Sequence, residues 1–239
     1  MQENRVVAKY LGVFFAAALA SGCSVSPEET GSGASGRADA ALGKSVYTIN
    51  CSEVVQPEES VELDGIDGLM DDHQYYAALA RIEAMSLDTQ THWLMWAQLL
   101  GHVGQLDYSE EVFGSIVNSC GSSRAYHGLG VVLVKQQKLQ AAREMLESAK
   151  AMAPADASIR NDFGYALIKS GEYGRAAFEL RTAYELAHGR GAATHNMVAA
   201  YYLNGGQAAL DELRNDVQVS EKQLRAGVEL AIRILGDAS

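Results

Sequence analysis

The hydrophobic and polar positions from residue 71 to residue 236 follow a helical period. Apolar residues recur at spacings of three and four residues, which places them on one face of an α-helix. No run of strict apolar and polar alternation in this part is long enough to predict a β-strand, and the whole sequence has only three prolines. The pattern therefore predicts an all-α fold.

The helical pattern itself repeats about every 34 residues. Two adjacent windows, which open at Ser123 and Ala157, have the same order of small and large apolar residues. The matching residues are Leu129, Gly130, Ala142 and Leu146 in the first window and Phe163, Gly164, Ala176 and Leu180 in the second. This spacing resembles the tetratricopeptide repeat, a hairpin of two helices called A and B. We expect small residues, such as Gly164 and Ala176, to lie where the two helices touch.

Weaker copies of the repeat lie on both sides of these two windows. One opens at Gln90 and contains Trp93 and Trp96, and the other opens at Gly191. An apolar face over residues 75–85 indicates one further helix B, and a helix over residues 220–235 has the position of a cap. We therefore predict an α-solenoid of about four tetratricopeptide repeats with a C-terminal capping helix, over residues 71–236.

Residues 1–22 have the features of a lipoprotein signal peptide. Arg5 and Lys9 precede an apolar run that is too short for the roughly 20 residues of a transmembrane helix. The sequence Leu-Ala-Ser-Gly-Cys that ends at Cys23 resembles the bacterial lipobox, in which the cysteine after the cleavage site carries lipid. We predict that Cys23 is lipidated, with an ordinary cleaved secretory signal as the alternative. Ser24 follows where inner-membrane lipoproteins carry Asp, which indicates the periplasmic face of the outer membrane of a Gram-negative cell.

Two further segments separate this signal from the repeats. Residues 23–45 are rich in Ser, Gly and Ala and predict a flexible, lipidated linker with a reach of about 25 Å. Residues 46–70 predict an extended or short helical segment that packs on the repeats. Once Cys23 is assigned to the lipid, Cys51 and Cys120 remain, and in an oxidising compartment they predict a disulfide. Two buried thiols are the alternative.

A formal net charge of −11 argues against nucleic acid and anionic lipid headgroups as partners. The membrane contact is therefore assigned to the N-terminal lipid. The six histidines and three cysteines lack metal-binding spacings, and no set of residues indicates a catalytic site. We predict no metal, no cofactor and no enzymatic activity.

Residues at equivalent positions of the A helices predict a binding groove. His127, Asn161 and His195 each occupy the fifth position of an A helix, which lines the groove in tetratricopeptide repeats. The same register adds further groove residues, which are Leu94, Gln98, Val131, Val134, Lys135, Tyr165, Ile168, Lys169, Asn196 and Tyr202. The mostly apolar lining predicts a hydrophobic peptide or an amphipathic helix as the ligand. For Val131 and Ile168, packing against an adjacent helix is the alternative.

The sequence from Arg160 to Ala183, with Asn196-Met197 and Val219 to Glu221 at matching distances, resembles the TadD family. These are tetratricopeptide lipoproteins of tight-adherence (Flp) pilus assembly. The likeness covers residues 70–235 and the lipidated N-terminus. It implies a pilotin-like partner of the outer-membrane secretin through which the pilus passes. An adaptor that docks cell-wall hydrolases or proteases is the alternative.

Overall fold

The computed structural model describes residues 47–237, which contain ten α-helices and no β-strand. The predicted signal peptide, Cys23 and the predicted linker lie outside the described residues. None of the described helices is both long and apolar enough to cross a membrane. The structure thus confirms the predicted all-α class.

Consecutive helices pair as hairpins, and successive hairpins stack along the chain. The helices are α1 (Pro57–Asp71), α2 (Tyr75–Glu83), α3 (Gln90–His102), α4 (Leu106–Cys120), α5 (Ser123–Lys135), α6 (Leu139–Met152), α7 (Ala157–Lys169), α8 (Tyr173–Leu186), α9 (Ala193–Asp216) and α10 (Glu221–Asp237). The pairs α3–α4, α5–α6 and α7–α8 are the repeats that open at Gln90, Ser123 and Ala157. The observed architecture is the predicted solenoid, with α10 packed on α9 as the cap.

The long helix α9 is itself a hairpin. Gly205 and Gly206 interrupt it with non-helical backbone, and Gly206 has a φ of 63° and a ψ of −146°. Only glycine adopts such a conformation without strain, so this pair forms the turn between an A helix and a B helix. The repeat that opens at Gly191 is therefore present, with Met197 buried in its first half and Leu210 buried in its second half.

A further hairpin precedes the repeats that the sequence shows clearly. The helix α1 extends over 15 residues, buries Leu63 and Ile66, and packs against α2. At its N-terminus, Pro57 occupies the first turn and the Glu59 carboxylate accepts a hydrogen bond from the backbone N–H of Gln56 at 3.4 Å. The helical body thus begins at Pro57, within the segment of residues 46–70 for which the sequence predicted an extended or short helical structure.

The packing inside the hairpins α5–α6 and α7–α8 depends on a glycine of helix A that faces a leucine of helix B. A Cβ at position 130 would lie 2.5 Å from Leu146 Cγ, and a Cβ at position 164 would lie 2.4 Å from Leu180 Cγ. The two contacts are equivalent in successive repeats. The side chain that occupies the space beside Gly164 is therefore that of Leu180, and Ala176 is fully buried in the same hairpin.

A buried ion cluster connects α6, α7 and α8. Glu179 is only 7% exposed and accepts hydrogen bonds from Lys150 Nζ at 2.7 Å and from Arg160 Nη1 at 2.5 Å. Lys150 also lies 4.4 Å from the ring centroid of Phe163. Both oxygens of the carboxylate are therefore bound by cations, as a buried charge requires.

The segment before α1 is extended and lies against the second hairpin. A disulfide joins Cys51 to Cys120 at the end of α4, with a Cα–Cα distance of 5.4 Å. The backbone N–H of Gln90 donates to the carbonyl of Ser52 at 2.8 Å. The Tyr47 ring packs against Trp93 and Trp96 of α3, with centroid distances of 5.6 and 5.7 Å. The segment is thus held covalently, by a hydrogen bond and by aromatic contacts.

Candidate functional site

The A helices of neighbouring hairpins lie side by side, because α3 contacts α5, α5 contacts α7, and α7 contacts α9. We call the surface that these four helices share the groove. It is the surface on which the sequence places the candidate binding residues.

A ladder of polar side chains crosses the groove from α5 to α9. His127 Nε2 donates to Asp162 Oδ2 at 2.7 Å, and Asn161 Nδ2 donates to Asp162 Oδ1 at 2.9 Å. Asn196 Nδ2 in turn donates to Asn161 Oδ1 at 2.9 Å. The four side chains are partly buried, so each hydrogen bond helps to fix the orientation of the next side chain. We call these four residues the polar ladder.

The polar ladder links two of the three residues that the repeat period singles out. His127 and Asn161 are connected through Asp162, which the sequence did not identify as a groove residue. His195 is half-buried and makes no side-chain hydrogen bond within residues 47–237. Since Asn161 already donates one bond and accepts another, it keeps one N–H and one lone pair for a ligand.

A cavity of about 340 Å³ opens between α3 and α5 at one end of the polar ladder. Its apolar lining includes Leu94, Phe113 and Val131, and its polar lining includes His127 and Asp162. This volume is within the range of small ligand sites and accommodates one aromatic or branched apolar side chain. The cavity therefore has the size of a pocket for a single anchoring side chain.

The floor of this cavity depends on a missing side chain. A Cβ at position 128 would lie 2.1 Å from Phe113 Cε1, so the ring fills the space beside Gly128. Phe113 belongs to a B helix and is 4% exposed. Any side chain at position 128 would displace this ring and change the shape of the cavity.

Basic groups surround the same cavity. Arg124 and Lys135 line it from the two ends of α5, and His102 lines it from the end of α3. Lys135 Nζ donates to the backbone carbonyl of Gly101 at 3.0 Å, and partial burial lowers the pKa of Lys135. Partial burial also lowers the pKa of His102, and the positive charges of Lys135 and His73 add to that effect.

A second cavity, of about 230 Å³, lies between α1 and α3 and has the opposite charge. Asp64 and Asp67 line it together with Arg124. Burial raises the pKa of Asp67, the carboxylates of Asp71 and Asp64 raise it further, and Arg124 partly offsets these effects. Helix α1, which the sequence did not assign to the groove, thus contributes a wall of the candidate site.

The other predicted groove residues differ in how far they are buried. Tyr165 and Tyr202 are half-buried and pack against the core with part of each ring exposed. Ile168 is only 1% exposed, because α7 packs against α8 and α9 and Ile168 belongs to the core that they form. The assignment of Ile168 to the groove was therefore wrong, and the alternative of packing against an adjacent helix applies to it.

The groove combines hydrogen-bonding, apolar and charged groups. Within residues 47–237, no group of three His, Cys, Asp or Glu side chains is arranged to hold a metal ion. The polar ladder supplies fixed hydrogen-bonding groups, the larger cavity supplies an apolar floor, and charged groups of both signs surround it. Such a combination fits a peptide segment with one buried side chain.

No protein-family model matches the sequence. The sequence is similar to the TPR repeat-containing protein PA4299 of Pseudomonas aeruginosa, with 26% identity over 220 residues that cover 90% of this chain and 81% of the relative.

The fold is similar to two solved tetratricopeptide structures. YrrB, described as a TPR protein with an unusual peptide-binding site, superposes with a TM-score of 0.51 at 21% identity and covers 72% of this chain and 95% of its own. A MamA fragment from Desulfovibrio magneticus superposes with a TM-score of 0.52 at 15% identity and covers 68% of this chain and 94% of its own. Together with the stacked hairpins, these structural similarities show that the chain has a tetratricopeptide-like fold.

Proposed function

We propose that this protein is a lipid-anchored assembly factor that binds a segment of a partner protein in its groove. The observation that carries the proposal is the cavity between α3 and α5, which has an apolar floor and adjoins the polar ladder. Such a site suits the capture of a side chain from another protein, and the tetratricopeptide fold suggests protein–protein interaction. Catalysis is not part of the proposal.

We further propose that the partner is a subunit of an outer-membrane secretin of a tight-adherence (Flp) pilus and that the role is pilotin-like. The resemblance of residues 70–235 to the TadD family supports this partner. The predicted lipid on Cys23 supports a location at the periplasmic face of the outer membrane, where secretin subunits assemble. The linker of residues 23–45 would let the repeat domain reach a partner without lying on the bilayer.

Two measurements test the anchor and the partner separately. Cys23→Ala should remove the protein from the outer-membrane fraction of cells that lack the secretin, and its persistence there would refute the lipid anchor. Purification of the wild-type protein from detergent-solubilised outer membranes should recover secretin subunits. Recovery of a cell-wall hydrolase or protease in their place would favour the adaptor role.

The groove is tested with its two half-buried tyrosines. Tyr165→Ala and Tyr202→Ala should each weaken capture of the partner by about 1–3 kcal/mol, because interfaces concentrate their free energy in aromatic side chains. Phe178→Ala is the matched control, since Phe178 lies on a B helix and is 68% exposed. Unchanged secretin capture and pilus output in the Tyr165/Tyr202 double variant would place the binding surface elsewhere. Unchanged pilus output after deletion of the gene would refute the pilus role.

A further inference from the structure

The two cavities of the site adjoin and differ in charge. Leu94, Gln98 and Arg124 line both of them. Arg124 lies where the two cavities meet. The α5 side adds Lys135 and Asp162, which is already hydrogen-bonded to His127, whereas the α1 side adds Asp64 and Asp67. The site therefore changes from positive to negative over the width of helix α3.

These charges are not neutralised by close ion pairs. In the part of the chain that the structure describes, no salt bridge includes Arg124, Lys135, Asp64 or Asp67, although exposed groups such as Arg81 and Glu62 do form one. Lys135 donates only to a backbone carbonyl, that of Gly101. Charges left without a close partner beside a cavity favour a ligand that supplies the opposite charges.

The apolar part of the site belongs to the cavity between α3 and α5, and Leu94 continues it into the second cavity. Leu94 is 5% exposed and Val132 is 3% exposed, and with Phe113 they form a floor that a buried apolar side chain would complete. A ligand that matches the whole site must therefore carry one apolar group with charges of opposite sign on its two flanks.

We propose that the groove binds a partner segment in which an aromatic or branched apolar residue is flanked by an acidic residue on one side and a basic residue on the other. The apolar residue enters the cavity between α3 and α5, the acidic residue faces Arg124 and Lys135, and the basic residue faces Asp64 and Asp67. The opposed charges fix the direction in which the segment lies. This inference rests on the proposed role in partner binding and specifies the chemistry of the segment.

A protein segment fits these charges better than other occupants. A nucleic acid or an anionic bilayer surface would meet repulsion from Asp64 and Asp67 and from a protein whose net charge is −11. A ligand that is only apolar would leave both sets of charges without partners. A segment with both signs of charge satisfies the two sides at once.

The test uses an array of 15-residue peptides with a central Phe. Each peptide carries one Glu on one flank and one Lys on the other, at every position and in both orders, and uncharged and singly charged peptides complete the array. Binding of the full-length protein, purified in detergent, is measured after circular dichroism and thermal unfolding have shown that it is folded. The best binders should contain all three residues, and their affinity should fall at least about tenfold when Phe is replaced by Ala.

Charge-reversal variants then assign the two sides. Arg124→Glu and Lys135→Glu should each weaken the best peptide about tenfold, and exchange of its Glu for Lys should recover binding to these variants. Lys222→Glu makes the same charge change on α10, away from both cavities, and should have little effect. Asp64→Lys should weaken binding in the same way and be rescued by a peptide with Glu in place of Lys. Asp216→Lys, at the exposed end of α9, serves as its control.

The outcomes separate this inference from the proposed function. Absence of peptide binding at 1 mM on the array, or equal effects of the site and control variants, overturns the charge-directed groove. A change in self-association of the protein with these variants, in place of a change in peptide binding, also overturns it and assigns the groove to a second copy of the chain. Recovery of secretin from membranes does not depend on any of these results, so either proposal can fail alone.

Discussion

The contact between Gly164 and Leu180 gives the sharpest test of the repeat packing. In Gly164→Ala, the added Cβ would lie 2.4 Å from Leu180 Cγ, 2.9 Å from Cδ2 and 3.1 Å from Cδ1. Carbon atoms that are not bonded prefer separations of about 3.5–4.0 Å. Leu180 is fully buried, so its side chain cannot move into solvent to relieve the overlap.

The expected loss of stability combines two opposing contributions. Overpacking of a well-packed core costs about 1–3 kcal/mol. Replacement of a glycine inside a helix by alanine contributes about 1 kcal/mol in the opposite direction. Three atoms of Leu180 are too close, so the cost should be near the upper limit and the net loss should be about 1–2 kcal/mol.

The assay is reversible chemical denaturation, supported by the melting temperature. Gly68→Ala is the matched control, because Gly68 also lies inside a helix and a Cβ there would meet nothing within 4 Å. This control should stabilise the protein by about 0.5–1 kcal/mol. Gly130→Ala should resemble Gly164→Ala, since its Cβ would lie 2.5 Å from Leu146 Cγ.

A double-mutant cycle identifies the cause. Leu180→Ala should cost about 2–5 kcal/mol by itself. In that background, Gly164→Ala no longer overlaps with Leu180 and should be neutral or slightly stabilising. The reasoning would be refuted if Gly164→Ala still destabilised the protein in the Leu180→Ala background. It would also be refuted if Gly164→Ala, Gly130→Ala and Gly68→Ala all stabilised the protein.

Three further predictions concern covalent and charged groups. The double variant Cys51→Ser/Cys120→Ser should lower the free energy of unfolding by about 4 kcal/mol, because the disulfide closes a loop with a sequence separation of 69. Detection of two alkylatable thiols in the unreduced wild-type protein would contradict the presence of this disulfide. Glu179→Ala should lower the free energy of unfolding, measured by chemical denaturation, by about 3–5 kcal/mol, because it leaves Lys150 and Arg160 facing each other without the carboxylate. The control Glu185→Ala removes an exposed ion pair and should lower it by less than about 1 kcal/mol. The lowered pKa of His102 favours its neutral form in the folded state, so its stabilising contribution is complete above the unfolded pKa of about 6.5 and is lost as the pH falls below it. His102→Gln should therefore reduce the loss of stability between pH 7 and pH 5, and an unchanged pH profile would contradict this.

The sequence predicts the hairpins well where packing imposes a strict order of residue sizes. The leucine side chain of helix B fills the space that a side chain of helix A would need, so the facing residue of helix A must be glycine. The pair Gly130 and Leu146 therefore recurs one repeat later as Gly164 and Leu180. Helix α1 lacks such a signal. It buries only Leu63 and Ile66 among many acidic residues, so its sequence resembles a solvated segment.

The candidate site could be predicted only in part. The repeat period identifies His127 and Asn161, but Asp162, which connects them, depends on how far side chains reach between neighbouring helices. Phe113 reaches the groove from a B helix only because Gly128 has no side chain. Ile168 is buried because α9 packs against α7, and the position of α9 cannot be read from the spacing of residues along α7 alone.

The disulfide also determines how a pull on the N-terminal chain would act on the repeats. Cys51 is bonded directly to the end of α4, so tension applied at Tyr47 passes through the covalent bond into α4 and bypasses α1, α2 and α3, which lie between the two cysteines in the sequence. Trp93 and Trp96, against which Tyr47 packs, lie roughly 150° around α3 from Leu94 and Gln98, which line the cavity. A tethered molecule under load would therefore keep its first hairpin unstrained and present its cavity on the side away from the point of attachment.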